Sequence, residues 1–231
     1  MTMMGKVIFN SRNGFRDIPF GLISGKKFAF FDMDGTLVNM ERSNYTLYKD
    51  ILMEMYKLEL TSEEWRKEFT GRIPQDSIPD FLKRMGDAEK VFNMERFVVL
   101  AKPKKEDIIF NRLFENSCLV ESAKNFLRKL EINGIHMILT TSTIKIFTES
   151  ILEQYNLKHY FDKLITGEDV KTGKPNPQIY LFASEISGVA PSEIVVFEDS
   201  NSGVKAAVDA GLDCILISRS KNIMKSQIMR I

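Results

Sequence analysis

Side chains that can do chemistry follow four apolar segments of the chain. They are Asp32 and Asp34, then Thr141 and Ser142, then Lys174, and last Glu198 and Asp199. Three carboxylates gathered at one place resist joint ionisation, and a hard divalent cation such as Mg²⁺ relieves that repulsion. A cation, a lysine, hydroxyls and loop amides that face one point suit a dianionic phosphoryl group. The pattern therefore predicts phosphoryl chemistry if the four segments meet in space.

The elements around these residues predict an α/β fold whose parallel strands would bring them together. Apolar strands alternate with helices after residue 120, and the apolar run at 27–31 belongs with them. In a doubly wound parallel sheet, ligands bind outside the carboxyl ends of the strands, at a switch point in strand order. Taken singly, each residue has an ordinary explanation as a helix cap or turn residue. Four sets at four strand ends are not explained in that way, because folding does not require carboxylates to gather there.

Residues 41–116 interrupt the alternation and predict an all-helical unit inserted after the first strand. Apolar residues recur at helical spacing in five segments, which are 43–58, 61–69, 75–85, 87–101 and 103–115. Thr61 followed by Glu64 is typical of a capping box at a helix start. Residues 1–26, punctuated by glycine and proline, predict a short extension with a hairpin in the segment KVIFNSRNGFRDI.

Composition and charge exclude several classes of protein. The 231 residues are 44% hydrophobic and 27% charged, and 32 lysines and arginines balance 31 acids, so no nucleic-acid partner is expected. No GxxxxGK[ST] string occurs, which argues against a P-loop nucleotide site. Cys118 and Cys214 form no CxxC pair, so we expect reduced thiols. Residues 1–21 lack a sustained apolar run, which predicts no leader, no membrane partner and a cytoplasmic location.

Four strings, DMDGT, ILTTS, GKPNPQIY and FEDSNSGVKAAVDAG, resemble in this order the motifs of the haloacid dehalogenase superfamily. The resemblance is strongest to the branch of sugar-phosphate phosphatases, phosphoglycolate phosphatases and β-phosphoglucomutase. It implies a Rossmann-like core domain made of residues 27–40 and 117–231. It also implies that residues 41–116 form a helical cap domain, which closes over the site and selects the substrate. Residues 1–26 have no counterpart in the family pattern, and their role is unknown.

The resemblance implies a role for each acid. Asp32 would be the nucleophile that forms an aspartyl-phosphate, and it would also bind Mg²⁺. Asp34 would be the general acid and base, with its backbone carbonyl on the metal. Asp199 would complete the metal shell, and Glu198 would act there directly or through water. Independent of the resemblance, a carboxylate nucleophile and a second carboxyl that moves protons divide a difficult displacement into two easier steps.

The other motif residues would shape the loop and hold the phosphoryl group. The resemblance implies that Thr141 binds a phosphate oxygen through its hydroxyl and that the amide of Ser142 helps. Lys174 would bridge the nucleophile and the phosphoryl group. Gly35 would let the backbone turn, and Thr36 would support that turn.

In the helical insert, the segment TGRIPQDSIPDFL resembles the loop and helix with which caps of this family reach the active site. Gly71 and Arg72 are therefore predicted to bind substrate, although a solvated loop arginine is an equally good interpretation of Arg72. Trp65 and Lys83 are weaker candidates, and Trp65 fits the core of the cap.

Departures from the pattern of the mutase favour a phosphatase. Asn39 stands where many relatives have an acid, Asn44 stands where the mutase has a histidine that handles sugar hydroxyls, and Arg72 falls two residues early. We therefore expect a Mg²⁺-dependent phosphatase for a small phosphorylated metabolite such as a sugar phosphate, acting as a monomer or weak dimer. An isomerase of the β-phosphoglucomutase type is the alternative.

Three other activities fit the sequence less well. A haloalkanoate dehalogenase is disfavoured, because relatives with that chemistry lack the second aspartate and Asp34 is present here. A phosphonate-cleaving enzyme would need a lysine in the cap, and no local pattern singles out Lys49 or Lys57. A non-catalytic binding protein on this fold conflicts with the intact set of Asp32, Asp34, Lys174 and Asp199.

Overall fold

Six parallel strands form one sheet in the computed structural model, which describes residues 5–101, 119–120 and 122–217. The strands are β1 (Val7–Ser11), β2 (Phe28–Phe31), β3 (His136–Thr140), β4 (Lys163–Ile165), β5 (Ile194–Glu198) and β6 (Asp213–Ile217). Their order is β1-β6-β5-β2-β3-β4, and every neighbouring pair is parallel. The predicted α/β parallel sheet is confirmed.

Helices cover both faces of this sheet. They are α5 (Ala123–Ile132), α6 (Lys145–Gln154), α7 (Gln178–Ser187) and α8 (Asn201–Asp209). Successive strand residues point to opposite faces, so Phe31 packs in the cluster with α5 and α6, while Phe30 packs in the cluster with α7 and α8. Burial on both faces explains why these strands are apolar throughout rather than alternating.

Residues 41–101 contribute helices and no strand. They form α1 (Glu41–Tyr56), α2 (Ser62–Glu64) with a π-helical turn at Trp65–Phe69, α3 (Pro74–Arg84), and a helix at 94–101, called α4. The capping box is present, since the Thr61 hydroxyl accepts from the Glu64 amide and the Glu64 carboxylate accepts from the Thr61 amide. None of the helices in the described ranges is long and apolar enough to cross a membrane.

One helix limit in this unit was predicted wrongly. The segment 87–101 is helical only from residue 94, because Gly86, with a φ of +80°, lies in the turn that ends α3, and residues 87–93 continue in turns and irregular backbone. The predicted helix at 103–115 lies outside the described residues, and the limits of the cap domain therefore stay a prediction. The helices enclose a core of their own, which α6 of the sheet domain joins through Ile144 and Phe147.

The hairpin predicted near the N-terminus is wrong. Strand β1 pairs in parallel with β6, with Val7 opposite Cys214 and Ser11 opposite Ile217, so it adds an edge strand to the sheet. The chain then turns at Gly14, where φ is +63°, and Phe15 enters the core. The partner of β1 lies about two hundred residues away, and a local pattern of residue types carries no record of it. Cys214 has a free, buried thiol, while Cys118 lies outside the described residues.

The register of the three central strands brings the predicted site residues level. Phe31 is paired with Leu139 on one side and with Phe197 on the other. The next residue of each strand is therefore Asp32, Thr140 or Glu198. Strand β2 is also where the strand order reverses, since β3 and β4 lie on one side of it and β5 and β6 on the other. Asp32 thus stands at the switch point where parallel sheets bind ligands.

We predict that Phe15→Ala lowers the free energy of unfolding by about 3–5 kcal/mol. The ring of Phe15 is 4% exposed and stacks on Phe126 with centroids 4.9 Å apart, so its removal leaves a cavity in the core. Urea denaturation followed by circular dichroism measures the change. Phe182→Ala, at a ring that is 36% exposed on α7, is the matched control and should cost clearly less. Equal losses for the two variants would contradict the placement of Phe15 in the core.

Candidate active site

A buried lysine links two of the predicted strand-end acids. The Lys174 ammonium donates to Oδ1 of Asp32 at 2.7 Å, to Oε1 of Glu198 at 2.6 Å, and to the carbonyl of Thr140 at 3.0 Å. Lys174 is 1% exposed. An ammonium has three N–H donors, and all three are used within the protein. The predicted bridge from Lys174 to a phosphoryl group therefore stays a prediction, and in this structure Lys174 acts on the site through its charge and its hold on Asp32.

Glu198 is surrounded by donors on both carboxyl oxygens. Tyr180 donates its hydroxyl to Oε1 at 2.7 Å, beside Lys174. Oε2 accepts from the amide of Asp199 at 3.2 Å and from the Ser200 hydroxyl at 3.1 Å. Gly203, at the start of α8, lies against this carboxylate so closely that a Cβ would come 1.9 Å from its Cδ. Glycine therefore lets the amino end of a helix approach the Glu198 charge, which that end stabilises.

The carboxylates crowd together and shift the pKa values of their neighbours. Burial and the negative charge of Glu198 raise the pKa of Asp32 well above its usual range, against the attraction of Lys174. Burial alone would lower the pKa of Lys174, but Asp32 and Glu198 outweigh it and raise that pKa. The ammonium is therefore fixed as a cation. One lysine does not balance the acids around it.

The acids can place one oxygen each around a common point. Single carboxyl oxygens of Asp32, Glu198 and Asp199 lie within 4.8 Å of one another. Hard divalent cations bind oxygen ligands of this kind, and the raised pKa of Asp32 shows that the protein groups alone disfavour its charge. The donor set fits a Mg²⁺ ion. Because Glu198 already accepts on both oxygens, Asp32 and Asp199 are the better ligands.

Asp34 lies in a turn that directs it into the same cavity. Gly35 has a φ of +93°, and its amide donates to the carbonyl of Val38 at 2.6 Å, which closes the turn. Oδ2 of Asp34 accepts from the Asn44 side chain at 3.0 Å and from the Thr143 hydroxyl at 2.9 Å. Oδ1 is buried and meets no hydrogen-bond donor among the described residues. Two hydrogen bonds thus hold Oδ2 of Asp34 in place, while Oδ1 accepts none from the described residues.

The hydroxyl of Thr36 does not close this turn. Thr36 is completely buried, and its Oγ1 has no hydrogen-bond partner in the part of the chain that the structure describes. The turn depends on backbone hydrogen bonds instead, which run from the amides of Leu37 and Val38 to the carbonyl of Met33. The predicted support from Thr36 is therefore packing alone.

Thr141 and Ser142 begin the loop after β3 and line the cavity. Thr141 is 1% exposed, and its Oγ1 accepts from the Thr143 amide at 3.1 Å. Ser142 uses its hydroxyl to donate to the carbonyl of Gly71 at 3.0 Å. The side chain of Ser142 thus ties the core to the loop between α2 and α3.

That loop rests directly on the strand ends. Gly71 has a φ of +74°, and a Cβ there would lie 2.6 Å from the Ser202 hydroxyl. One turn further on, the Asp76 carboxylate accepts from the amide of Gly173 at 2.8 Å. The loop that carries Lys174 is therefore hydrogen-bonded to helix α3 of the insert, and the insert covers the site.

Arg72 is turned toward its own helical unit. Its guanidinium donates through Nη2 to the carboxylate of Asp80 and through Nη1 to the Glu68 carbonyl at 3.1 Å. Arg72 lines the cavity, as does Gly71, but neither its predicted substrate contact nor that of Gly71 is tested by this arrangement. Trp65 also lines the cavity from the cap core, whereas Lys83 is exposed and does not line it.

A cavity of about 80 Å³ joins these groups. Its floor carries Asp32, Asp34 and Asp199, and most of the side chains that line it from the helical insert and the start of α6 are apolar or aromatic. Pockets for drug-sized ligands run to roughly 300–1,000 Å³, so this space suits a small molecule. The arrangement can therefore bring a carboxylate nucleophile and a second carboxyl to one small phosphorylated ligand.

Three residues that donate hydrogen bonds to Asp34 or Glu198 were not predicted as functional. Tyr180 and Thr143 lie next to predicted motif residues, but their roles follow from the direction of a side chain, which the sequence pattern does not give. Asn44 was noted only as a departure from a mutase. It lies on α1, ten residues after Asp34, so its contact depends on how the cap sits on the core.

Comparison with known proteins identifies the family of the chain. Residues 29–217 match the family described as haloacid dehalogenase-like hydrolases. The chain belongs to the haloacid dehalogenase-like hydrolase family. A phosphorylated carbohydrates phosphatase of Thermotoga maritima is 32% identical over 187 residues, which cover 81% of this chain and 82% of the relative. A phosphoglycolate phosphatase of Pseudomonas fluorescens is 25% identical, with 85% of this chain and 71% of the relative covered.

A solved structure extends the likeness to the fold. The β-phosphoglucomutase of Clostridium difficile matches with a TM-score of 0.70 over 89% of this chain and 96% of that chain, at 18% identity. At that identity the likeness shows the fold alone. The family match and the phosphatases among the relatives confirm the prediction of a phosphoric monoester hydrolase in the haloacid dehalogenase-like family.

We predict that Tyr180→Phe lowers the free energy of unfolding by about 1.5–3 kcal/mol, the range for hydrogen bonds to charged groups. The variant keeps the ring but removes the donor to the fully buried Glu198. Thermal denaturation at neutral pH measures the loss. Tyr45→Phe is the matched control, because its hydroxyl donates to a neutral acceptor, the Leu60 carbonyl, at 3.2 Å. A Tyr180 variant no less stable than the Tyr45 variant would show that the bond to Glu198 is not charge-assisted.

Proposed function

We propose that this chain is a Mg²⁺-dependent phosphatase that hydrolyses a small phosphorylated metabolite of the sugar-phosphate type through an aspartyl-phosphate on Asp32. The observation that carries the proposal is the pairing of Asp32 with a buried lysine, 2.7 Å away, at the floor of a cavity that Asp34 also lines. The family match and the phosphatases among its relatives support the reaction class.

The two aspartates divide the reaction between them. In the first step a carboxylate oxygen of Asp32 bonds to phosphorus, and the bond from phosphorus to the leaving-group oxygen breaks. Asp34 gives its proton to that oxygen, so the product leaves as an alcohol. In the second step water attacks the phosphorus of the acyl phosphate, Asp34 takes a proton from the water, and inorganic phosphate leaves Asp32 free again.

The hydrogen bonds of Asp34 support this division. Asn44 and Thr143 both donate to Oδ2, which holds the carboxyl group in one orientation. We assign the transferred proton to Oδ1, because this buried oxygen has no donor facing it among the described residues. Asp32 lies in a different environment, since the Lys174 ammonium donates to its Oδ1. Two carboxyls in unlike environments can take opposite roles as nucleophile and acid.

Asp32 and Asp199 would hold the magnesium ion. When bound, the ion would neutralise charge on the phosphoryl oxygens and on the acids that face them. Glu198 would act behind them by orienting Lys174, because both of its oxygens already accept hydrogen bonds. The hydroxyl of Thr141 and the amide of Ser142 remain our candidates for phosphate binding, since both residues line the cavity.

The size of the cavity and the relatives support a small substrate. About 80 Å³ leaves room for a phosphoryl group with a small organic part. One relative is named for phosphorylated carbohydrates and another for phosphoglycolate. An isomerase would use the same acids but must exclude water and return the phosphoryl group. Assembly as a monomer or weak dimer and a cytoplasmic location stay predictions.

We predict that Asp32→Asn abolishes turnover, with at least about a thousandfold loss of phosphate release, because the amide is a poor nucleophile. Release from p-nitrophenyl phosphate in Mg²⁺ is the assay, and the melting temperature checks that the variant folds. Asp209→Asn, at an exposed pair with Lys205 on α8, is the control and should keep full activity. Retention of most activity by the Asp32 variant would remove it from the role of nucleophile.

An isomerase would be revealed by its dependence on a primer. Hexose 1-phosphate is incubated with the enzyme, with and without a hexose bisphosphate, and both free phosphate and the isomeric ester are measured. Phosphate release without the primer supports the phosphatase. Formation of the isomer only with the primer would overturn it.

We predict that Mg²⁺ raises the melting temperature and that this rise grows as the pH increases through the raised pKa of Asp32. Because the folded pKa of Asp32 lies above its unfolded value, the stability linked to its proton is complete below the unfolded pKa and is lost as the pH rises through the folded one. A cation replaces that proton, so it binds better at higher pH.

At about one hundred times the dissociation constant, the expected rise is about 5–10 °C. Calorimetric scans with and without Mg²⁺ at several pH values measure it. Asp199→Asn should lose the rise, whereas Asp209→Asn should keep it. A rise that shrinks with increasing pH would contradict the assignment of Asp32 as a ligand.

A further inference from the structure

We propose that the cap side of the cavity accepts an uncharged, hydroxyl-bearing leaving group and discriminates against one that carries a second anion. The proposal rests on the proposed phosphatase activity and names the substrate class of that same site. It is argued from the charges, the apolar wall and one buried donor on the side of the cavity opposite to the catalytic acids.

The wall that would face the leaving group is mainly aromatic. Tyr48, Trp65 and Phe69 pack against one another with ring centroids 5.2–5.8 Å apart, and all three line the cavity. Ile144 and Phe147 complete the wall from α6. Rings of this kind pack well against the C–H groups of a polyol or sugar, but they offer nothing to offset an added negative charge.

Positive charge on this side of the cavity is limited to one side chain among the described residues. Arg72 is the cation in question, and its guanidinium is already engaged by the Asp80 carboxylate and the Glu68 carbonyl. Arg72 is 24% exposed and Asp80 is 64% exposed, so the pair lies at the rim. A carboxylate on the leaving group would have to compete with Asp80 for this arginine.

Negative charge lies on the same side. Glu41, on the first turn of α1, lines the cavity together with the acids of its floor. The positive charges below the floor, Lys174 and a divalent ion, are matched to those acids and to the phosphoryl group. A second anion would therefore meet the carboxylate of Glu41 on this side of the cavity, and a like charge opposes its binding.

A buried donor on the aromatic wall suits a hydroxyl group. Trp65 is 6% exposed, and its indole N–H has no acceptor among the described residues. A donor left unpaired in a low-dielectric wall is unfavourable, and a ligand oxygen that reaches it relieves this. An uncharged oxygen does so without facing Glu41 as a second anion. The aromatic wall therefore favours an uncharged oxygen, such as a hydroxyl group, on the leaving group.

Two pairs of esters test the proposal, each pair alike in size and different in charge. They are 2-hydroxyethyl phosphate with 2-phosphoglycolate, and glycerol 3-phosphate with 3-phosphoglycerate. We expect the wild-type enzyme in Mg²⁺ to show a kcat/KM about tenfold or more higher for the neutral member of each pair. A kcat/KM for the anionic member that equals or exceeds that of the neutral member would overturn the proposal.

Asp80→Ala tests the part played by the ion pair. Removal of this carboxylate frees Arg72, so the variant should gain several-fold in kcat/KM on the two anionic esters and change little on the neutral ones. Asp50→Ala removes one exposed carboxylate from α1, away from the cavity, and is the matched control for net charge. An equal gain in both variants, or a gain in neither, would remove Arg72 and Asp80 from substrate selection.

Trp65→Phe tests the donor, because it keeps a ring and removes the N–H. We expect a several-fold lower kcat/KM for 2-hydroxyethyl phosphate and glycerol 3-phosphate, with an unchanged value for p-nitrophenyl phosphate, which has no hydroxyl. The melting temperature should not fall through loss of a hydrogen bond, since the N–H has no protein acceptor among the described residues. A parallel loss on all esters would show that Trp65 acts only in packing.

The phosphatase activity and the preference for uncharged leaving groups can be disproved separately. If no ester, including p-nitrophenyl phosphate, releases phosphate in Mg²⁺, both the phosphatase and this inference are overturned. If all are hydrolysed and the anionic esters are preferred, the phosphatase stands and the inference about the leaving group falls.

Discussion

The site depends on the ion pairs that the buried Lys174 makes with the carboxylates of Asp32 and Glu198. Lys174 is 1% exposed and Glu198 is fully buried, so neither charge is hydrated. A buried ion pair is retained only when its geometry is good and its remaining oxygens are hydrogen-bonded. Tyr180 and the amino end of α8 meet that requirement for Glu198. The carboxylate of Asp32 is only partly stabilised by the protein, since its pKa stays raised in spite of Lys174. Because its negative charge is not fully compensated, the site is suited to a metal ion and a phosphoryl group.

Asp34 depends on a second set of contacts, and these cross from core to cap. Thr143 follows β3 in the core, while Asn44 belongs to α1 of the helical insert, and both donate to the same oxygen of Asp34. The cap loop is tied to the core as well, through Ser142 and Gly71. The position of the helical insert and the orientation of Asp34 are therefore linked by hydrogen bonds. In the phosphatase that we propose, the helical insert would thus also set the geometry of the proton donor.

A structural feature of this chain could be predicted from the sequence when the residues that determine it lie close together in the chain. The strand ends were predictable because parallel register places Asp32 and Glu198 level once the strands are recognised. The capping box at Thr61 was predictable because it lies within four residues. Strand β1 was not, because nothing near Val7 indicates its partner at Cys214. Helix 87–101 was too long because apolar spacing continues through turns that follow Gly86.

The environment of Arg72 is another feature that the local sequence does not predict. The sequence predicts an arginine near the substrate but does not predict which way its side chain points. Its charge can act on a ligand when it faces the cavity, but it is paired when it faces Asp80. Asp80 lies two helical turns further along, on α3, and only the fold shows that the two meet. Catalytic groups at strand ends are constrained by the sheet, whereas a cap arginine is constrained by its own exposed neighbours. Under the proposed preference for uncharged leaving groups, substrate choice depends in part on this one solvent-exposed pair, which a single substitution can change without disturbing the buried lysine and its two acids.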